Sequence, residues 1–378
     1  MRANVLATGA LLIAVALVGG GWIGASHLSR AADARLTAAH PKTLPVVAPP
    51  AAPPVLQNRL EALALVYGEP VGIAVTDVTE GWTALVDGDT PYPQQSVSKL
   101  WVAVSALDAV DRGALRLDQL TVMTPDDRSV FFQPLAEMIT TTRHPTLTVA
   151  DLLSRAITES DNSANDKLMR ELGGAEAVTG ILARKGLEEL KVGAYERDLQ
   201  ARIAGLEWQP EYGLGWTFKA ARAKLPDAIR ENAEAAYLAD PMDGAAPAAI
   251  TAALAALKRG ELLSPASTTV LLDLLSETRT GPRRLKGGLP AGWTIGHKTG
   301  TGPDWRHGSV GINDVGLITA PDGRTYAVAV MMRRTRAPVP QRLAFMQAVT
   351  RAVVAHWTSL PAEGRQLAAT GAGPAAGL

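Results

Sequence analysis

The sequence contains no cysteine, which excludes disulfide bonds, thiolate nucleophiles and cysteine-based zinc sites. It has no excess of charge either, because 37 Lys and Arg residues balance 37 Asp and Glu residues. Nucleic-acid binding needs a basic surface, so no nucleic-acid partner is expected. The six histidines show no H-E-x-x-H or other close metal spacing, and no G-x-S-x-G elbow occurs. The sequence therefore argues against metallohydrolases and Ser-His-Asp hydrolases, and we expect neither a metal nor an organic cofactor.

The N-terminal segment is basic at its start and then apolar. Arg2 precedes an uncharged stretch from Val5 to Ala25, and Arg30 is the next charged residue. This order is typical of an export signal, although the run also approaches the ~20 residues that span a bilayer. We expect residues 1–30 to be a signal peptide or an N-terminal inner-membrane anchor. The protein is then expected in the periplasm or another extracytoplasmic location.

Proline content marks the next boundary. Six prolines lie between Pro41 and Pro54, which is typical of an extended spacer, and we assign residues 31–54 to a Pro/Ala-rich linker. Residues 55–360 are expected to form one catalytic domain. Residues 361–378 are rich in Ala and Gly and are expected to be a disordered tail.

The catalytic domain has strand patterns near both ends and helix patterns between them. Strands are predicted over Val71–Val78, Trp82–Val86, Trp293–His297, Val315–Thr319 and Tyr326–Met331. Helices are predicted over Leu100–Val110 (starting near Ser96), most of Leu147–Leu190, Pro247–Lys258, Pro265–Leu275 and Gln341–Trp357. The expected fold class is α/β, in the α+β sense. One antiparallel sheet is flanked by helices and carries an inserted all-helical subdomain.

The first candidate for chemistry is Ser96-Val97-Ser98-Lys99, the one S-x-x-K string in a chain with ten lysines. Positions three apart lie on one helix face, so Ser96 Oγ and Lys99 Nζ can meet. A serine hydroxyl is a weak nucleophile until a base removes its proton. A lysine can be that base when burial and neighbouring cations lower its pKa. Taken alone, the motif also fits a surface helix that carries serine and lysine by chance.

A second candidate, Ser160-Asp161-Asn162, follows the predicted helical run Val149–Glu159. A hydroxyl beside an amide suits proton transfer to a leaving group and hydrogen bonding of a substrate amide. The same string is also common in turns and helix caps.

A third candidate, Lys298-Thr299-Gly300-Thr301, follows the predicted strand Trp293–His297. If the strand continues, Thr299 and Thr301 share one face. Gly300 between them is then expected to let a substrate backbone approach the edge of the sheet. The alternative is a strand that ends in a glycine turn.

The three motifs occur once each, in the order and approximate separations of serine β-lactamases and penicillin-binding proteins. The chain resembles class A β-lactamases over about residues 71–357. The likeness includes three stretches outside the motifs: Gly260-Glu261-Leu262-Leu263, Leu289-Pro290-Ala291-Gly292-Trp293 and Pro321-Asp322-Gly323. The resemblance implies a β-lactamase/transpeptidase-like fold with its site in the cleft between sheet and helical subdomain. It also implies a monomeric serine hydrolase that acts on a small β-lactam or a cell-wall peptide.

The resemblance assigns a role to each motif residue. Ser96 is implied as the acylated nucleophile, with Lys99 in its proton network. Ser160 is implied to pass a proton to the departing nitrogen, supported by Lys298. The implied substrate contacts are Asn162 with a side-chain amide, Thr299 with the carboxylate, and the backbone N–H groups of Ser96 and Thr301 as the oxyanion hole.

Hydrolysis of the acyl-enzyme needs a further group, and the resemblance assigns it to Glu196, 36 residues after Ser160. The string Glu196-Arg197-Asp198-Leu199 matches the family's E-x-x-L pattern for the residue that activates water. A general base of this kind contributes about 10²- to 10⁴-fold in rate. The alternative is that Glu196 is an ordinary surface carboxylate.

The sequence also departs from the family around Glu196. Gln200 replaces the asparagine that usually helps to hold the water, Ala194 replaces an arginine that often anchors the loop, and Asp166 stands where many members have asparagine. Between Glu196 and the predicted helix that begins at Pro247 the chain is longer than in the family, and residues 201–240 are taken as the insert. Its aromatic residues are expected either to wall the site or to pack the extra segment: Trp208, Tyr212, Trp216 and Phe218.

Two further substrate-binding assignments remain open between neighbours. Arg284 is expected to bind the substrate carboxylate, with Arg283 as the alternative. Phe132 is expected at the rim of the cleft, with Phe131 as the alternative, unless both are core residues. We therefore expect a β-lactam hydrolase. The rival interpretations are a D,D-peptidase or esterase on the same fold, and a penicillin-binding sensor that is acylated without turnover.

Overall fold

The computed structural model describes residues 49–142, 144–306 and 308–361. The predicted signal or anchor, most of the predicted linker and nearly all of the predicted tail lie outside these residues. No helix in the described ranges is long and apolar enough to cross a membrane.

The described residues form ten strands and twelve α-helices. The strands are β1 (Val71–Asp77), β2 (Thr83–Val86), β3 (Tyr92–Pro93), β4 (Leu120–Val122), β5 (Thr146–Thr148), β6 (Gly244–Ala245), β7 (Thr294–Thr301), β8 (Asp304–Trp305), β9 (Gly308–Thr319) and β10 (Thr325–Thr335). The helices are α1 (Pro54–Tyr67), α2 (Lys99–Asp111), α3 (Leu135–Thr141), α4 (Val149–Ser154), α5 (Asn162–Glu171), α6 (Ala175–Arg184), α7 (Glu196–Ile203), α8 (Thr217–Lys224), α9 (Asp227–Ala239), α10 (Pro247–Lys258), α11 (Pro265–Ser276) and α12 (Val339–Ser359).

One antiparallel sheet joins the two ends of the domain, as predicted. Its strand order is β2-β1-β10-β9-β7, and β8 pairs with β9. All the helices from α2 to α11 lie between β3 and β7 in the chain. This helical part is not purely helical, because β4 pairs with β5 and β3 pairs with β6. The expected all-helical insertion is therefore helical apart from these two short strand pairs.

Side chains on β10 alternate between two cores. Val328 and Val330 pack with α1 and α12 on one face of the sheet. Ala327 and Ala329 pack on the other face with the large cluster that contains α2 and α10. Successive strand residues point to opposite faces, so a strand covered on both sides is apolar throughout. On this second face the S-x-x-K turn, Gln95–Ser98, lies against β7 and β9, and α2 packs beside it on α5, α6 and α11.

Two local elements differ from the sequence expectation. Helix α1 was missed, because its exposed positions include Leu65 and Val66 and its apolar residues follow no clear helical face. Strand β9 is longer than predicted, because Asn313 and Asp314 are poor strand formers in general yet are fully buried and hydrogen-bonded here.

A buried ion pair links the end of β1 to the turn before β10. Asp77 is fully buried and accepts hydrogen bonds from the backbone N–H groups of Thr79 (2.9 Å) and Glu80 (2.8 Å). It also accepts from Arg324 Nε at 2.7 Å. The carboxylate therefore accepts hydrogen bonds both from the turn after β1 and from the guanidinium of Arg324, a residue that is 5% exposed.

Substitution Asp77→Ala is expected to lower the free energy of unfolding by about 3 kcal/mol, because it leaves a buried guanidinium short of a partner. Urea denaturation measures this change. The matched control is Asp118→Ala, which breaks the exposed pair with Arg116 and is expected to leave the midpoint unchanged. Equal shifts in the two variants would contradict the assignment.

Candidate active site

The S-x-x-K string forms the turn that leads into α2. Residues Gln95–Ser98 make a 3₁₀ turn, and Lys99 is the first residue of α2 and is fully buried. Lys99 Nζ donates to Ser96 Oγ at 2.8 Å and to Glu196 Oε2 at 2.8 Å. The Lys99 ammonium group therefore connects the Ser96 hydroxyl with the Glu196 carboxylate, which lies 97 positions after Lys99 in the sequence.

Glu196 is the first residue of α7 and is only 4% exposed, so it is not an ordinary surface carboxylate. Its Oε1 accepts from Gln200 Nε2 at 2.9 Å, and its backbone N–H donates to Asp166 Oδ1 at 2.6 Å. Burial acts to raise the pKa of Glu196, but the charge and hydrogen bond of Lys99 and the hydrogen bond from Gln200 outweigh it, and the net pKa is lowered. The group is therefore a carboxylate that can accept a proton.

The S-D-N string follows a π-helical turn, Arg155–Glu159. Ser160 has φ 65°, a left-handed conformation that non-glycine residues adopt at a cost, and its Oγ accepts from Lys298 Nζ at 2.8 Å. Lys298 is fully buried, and burial together with the nearby Lys99 holds its pKa well below the usual value. Asn162 donates one side-chain N–H to the Val130 carbonyl at 2.7 Å, which orients the amide and leaves its second N–H and its oxygen for a ligand.

Strand β7 continues through the third motif. Thr299 Oγ1 lies 2.6 Å from Thr280 Oγ1, and Thr301 Oγ1 accepts from Arg284 Nη2 at 2.6 Å. Arg284 Nη1 also donates to the Gly300 carbonyl at 2.9 Å. The guanidinium is therefore fixed beside the end of β7.

The structure requires glycine at position 300 for a different reason from the one expected. A Cβ atom added there would lie 2.3 Å from the carbonyl oxygen of Gln94. The room that this glycine leaves is therefore occupied by the backbone before the nucleophile turn and not by a substrate, which corrects the sequence expectation. Close approach of this kind is what glycine in a strand permits.

These groups surround a cleft of about 280 Å³. Every predicted site residue lines it except Lys99, Lys298 and Gly300; the two lysines reach it through Ser96 and Ser160. Among the residues that the structure describes, no group of three or more His, Asp or Glu side chains is arranged to hold a metal ion.

The sequence leaves two substrate-binding assignments open between neighbours, Phe132 or Phe131 and Arg284 or Arg283, and the structure distinguishes the arginines more clearly than the phenylalanines. Phe131 and Phe132 both line the cleft and are 51% and 55% exposed, so the core alternative is wrong for both. Arg284 lines the cleft, whereas Arg283 is exposed and is not among the lining residues.

The aromatic residues of the insert mostly pack the extra segment. Tyr212 contacts both Trp208 and Phe218, and Phe218 packs edge-on against Phe131, with ring centres 5.3 Å apart. Trp216 is 75% exposed. None of these four lines the cleft, so packing is the correct expectation for Trp208, Tyr212 and Phe218, and neither expectation holds for the exposed Trp216. Through Phe218, this aromatic cluster supports Phe131 at the cleft.

Other groups hold the loop where Ala194 replaces an arginine. The guanidinium groups of Arg170 and Arg197 lie 5.5 and 5.8 Å from the ring centre of Tyr195. Each also donates to the Asp126 carbonyl, at 2.8 and 2.6 Å. The residue after Ala194 is thus held between two cations.

Three residues near the site were not identified from the sequence. Gln95 precedes the nucleophile and has φ 52°; its backbone N–H donates to Asp243 Oδ2 at 2.7 Å. Tyr237, in the insert, donates to Asp243 Oδ1 at 2.8 Å. Burial, with a smaller contribution from Glu196, raises the pKa of Asp243 to about 7. No local pattern marks these residues, because their partners are distant in the sequence.

Asp166 is expected to weaken the fold at neutral pH. Burial, and then the charge of Glu196, raise its pKa to about 6, above the usual 3.8. The folded state therefore binds the proton more tightly than the unfolded state, and the stability contributed by Asp166 falls as the pH rises from about 4 through 6. Asp166→Asn is expected to raise the free energy of unfolding by about 1 kcal/mol or more at about pH 8 and to have little effect near pH 4. Denaturant titrations at both pH values measure this, and an equal gain at both would contradict the pKa assignment.

Comparison with known proteins agrees with this geometry. The sequence profile described as the beta-lactamase enzyme family matches residues 55–357. Extended-spectrum beta-lactamase PER-1 of Pseudomonas aeruginosa is 30% identical over 284 residues, which cover 74% of this chain and 80% of that protein. Beta-lactamase VEB-1 of the same organism is 27% identical over 282 residues, covering 74% and 83%.

A solved structure supports the same relationship in three dimensions. The ancestral (GNCA) class A beta-lactamase superposes with a TM-score of 0.62 at 32% sequence identity, covering 80% of this chain and 99% of that chain. The fold predicted from the sequence is thereby confirmed. The profile match spans most of the domain from α1 to α12. The chain belongs to the beta-lactamase enzyme family, and within it to the class A beta-lactamases.

Proposed function

We propose that this protein hydrolyses β-lactams through an acyl-enzyme on Ser96 that is released by water activated by Glu196. One observation carries the proposal: Lys99 Nζ lies 2.8 Å from both Ser96 Oγ and Glu196 Oε2. Nucleophile, proton carrier and base therefore form one hydrogen-bonded line. Ser96 and Glu196 also line the same cleft.

In the acylation step, Ser96 Oγ attacks the lactam carbonyl, and its proton passes through Lys99 toward Ser160, so Glu196 remains a carboxylate. The oxyanion is expected to accept from the backbone N–H groups of Ser96 and Thr301, and one such donor contributes about 3–4 kcal/mol to the transition state. The C–N bond of the ring then breaks. Ser160 supplies the proton that the departing nitrogen takes up.

Lys298 is proposed to orient Ser160 for this transfer, because its Nζ donates to Ser160 Oγ at 2.8 Å. In the free protein, burial and the nearby Lys99 hold its pKa well below the usual value. A bound substrate carboxylate beside Thr299 and Arg284 favours the charged form again, because opposite charges raise the pKa of an ammonium group. The expectation that Lys298 stays charged thus applies to the substrate complex.

In the deacylation step, Glu196 takes a proton from water, and the resulting hydroxide attacks the ester carbonyl on Ser96. The C–Oγ bond breaks and Ser96 regains its proton through Lys99. Gln200 donates to Glu196 Oε1 and lines the cleft, so it is proposed to hold the water in place of the family's asparagine. Asn162 and Phe132 are proposed to contact the substrate side chain.

The rival functions differ in the fate of the acyl-enzyme. In a D,D-peptidase or esterase on this fold, Glu196 is not expected to contact the acyl group, and a penicillin-binding sensor keeps its acyl group. The position of Glu196 in the cleft, bonded to Lys99, favours rapid hydrolysis of a β-lactam acyl group over these alternatives.

We further propose that the enzyme acts as a monomer outside the cytoplasm. The N-terminal residues 1–30 support export as a signal peptide or an inner-membrane anchor. Residues 31–54 then act as a spacer before the catalytic domain, 55–360, and residues 361–378 form the tail.

Glu196→Gln is expected to lower kcat with a chromogenic cephalosporin by about 10²- to 10⁴-fold, because the water loses its base. The acyl group should then be found on Ser96 by mass spectrometry of the quenched protein. Glu211→Gln, in the exposed part of the insert, is the matched control and should turn over normally. Stoichiometric acylation of the wild-type protein without turnover would overturn the proposal and favour a sensor or peptidase.

The carboxylate contact is expected to depend on Arg284. Arg284→Ala should lower kcat/KM for a penicillin by about tenfold or more, since a charge-assisted hydrogen bond contributes about 1.5–3 kcal/mol. Arg283→Ala should change it less than about twofold, because this neighbour is not among the residues lining the cleft. Steady-state kinetics of the two variants side by side test the assignment, and a larger loss in Arg283→Ala would reverse it.

A further inference from the structure

A chain of buried polar side chains runs from the insert to the base. Tyr237 OH donates to Asp243 Oδ1 (2.8 Å) and accepts from Gln95 Nε2 (2.6 Å). Gln95 Oε1 in turn accepts from Gln200 Nε2 at 2.8 Å, and the same nitrogen donates to Glu196 Oε1 at 2.9 Å. All five side chains belong to buried residues, each less than 8% exposed. Water is therefore a poor substitute for any member.

The hydrogen bonds of this series all run in one direction, and the Asp243 carboxylate sets that direction. An ionised Asp243 can only accept, so the Tyr237 hydroxyl must donate to it and its oxygen is left to accept from Gln95. The Gln95 amide is thereby oriented with its oxygen toward Gln200. Gln200 must then present N–H donors, and not its own oxygen, to Glu196. A reversed Gln200 amide would place two acceptors against each other.

The start of the chain is held firmly in place. Helix α9, which carries Tyr237, is bonded to the sheet by Arg334 and Glu234 (2.5 Å) and by Arg333, which donates to the Leu238 carbonyl (2.6 Å). Near its other end, the Arg230 guanidinium lies 4.1 Å from the ring centre of Trp305 on β8. Tyr237 is thus a fixed point of the fold.

The backbone of the turn before Ser96 is ordered by Asp243, the hydrogen-bond partner of Tyr237. Gln95 adopts φ 52°, and its backbone N–H donates to Asp243 Oδ2 at 2.7 Å. A strained residue of this kind persists when its surroundings determine its position. Asp243 therefore orders the residue before Ser96 through the backbone, while Tyr237 orders the Gln95 side chain that faces Gln200.

We propose that Tyr237 is a positioning residue for hydrolysis of the acyl-enzyme: through Gln95 and Gln200 it orients the donor that Glu196 receives. The inference rests on the proposed β-lactam hydrolysis and adds to it a residue of the insert. It predicts a selective effect on the second half of the reaction. Acylation depends on Ser96, Lys99 and Ser160, none of which Tyr237 contacts through this chain.

The test is Tyr237→Phe, which keeps the ring and removes the hydroxyl. With a chromogenic cephalosporin at about pH 8, where Asp243 is ionised, the deacylation rate should fall about three- to tenfold, the range expected for one misoriented buried hydrogen bond. The acylation rate from stopped-flow should change less than about twofold. Steady-state kcat and KM should then fall together while kcat/KM is retained. Tyr212→Phe is the matched control in the insert, and both rates should be those of the wild type.

A double-mutant cycle with Gln200→Ala tests the route. If the effect passes through Gln200, Tyr237→Phe should slow deacylation less than about twofold further in the Gln200→Ala background. An undiminished effect there would overturn the proposal, as would equal losses in acylation and deacylation, which indicate a general structural role. The melting temperature of each variant identifies loss of folding.

The proposed function and the proposed role of Tyr237 can be overturned separately. Wild-type protein that is acylated without turnover would overturn the proposed function and this inference with it. Wild-type turnover that depends on Glu196, with unchanged deacylation in a folded Tyr237→Phe variant, would overturn this inference alone.

Discussion

The rest of the site depends on how one buried cation is neutralised. Lys99 is fully buried, and a charge in that position costs several kcal/mol unless it is paired and hydrogen-bonded. Glu196 provides the pairing and Ser96 Oγ takes a further hydrogen bond. The same contact that makes burial of Lys99 tolerable therefore brings Ser96 and Glu196, the proposed nucleophile and base, together. It also requires the segment that carries Glu196 to be held closely against α2.

The fold meets this requirement from two sides. On the sheet side, Gly300 allows the backbone at Gln94 to pack directly against β7, so the nucleophile turn and the third motif are in contact. On the helical side, Asp166 accepts the backbone N–H of Glu196 and fixes the start of α7. Burial, together with like charges held this close, has a cost: it raises the pKa of Asp166 beside Glu196 and lowers the pKa of Lys298 near Lys99. Shifted pKa values of this kind are common at sites where catalysis needs proton transfer.

Sequence reasoning recovered the parts of this arrangement that are local. Ser96, Ser160 and Lys298 stand in short strings whose residue types carry their chemistry, and Glu196 stands at a recognisable spacing. The sheet could be predicted because its strands alternate or run apolar near both ends of the domain. Tyr237 and Asp243 could not be found, because their roles arise from contacts with Gln95, more than 140 positions away. The reason for Gly300 was misjudged likewise, since only the folded structure shows which backbone occupies the space beside it.

The attachment of α9 to both the sheet and the nucleophile turn has a consequence for how the molecule opens. A loop that carries a catalytic group is usually among the least stable parts of a protein and fluctuates independently of the core. Here the segment from Glu196 onward is bonded through Tyr237 and Asp243 to Gln95, and through Arg333 and Arg334 to β10. Its amides should therefore exchange with solvent hydrogen in the same cooperative unit as the sheet. An enzyme built this way has little freedom to enlarge its cleft by loosening that loop, so adaptation to bulkier substrates would have to begin elsewhere on the rim.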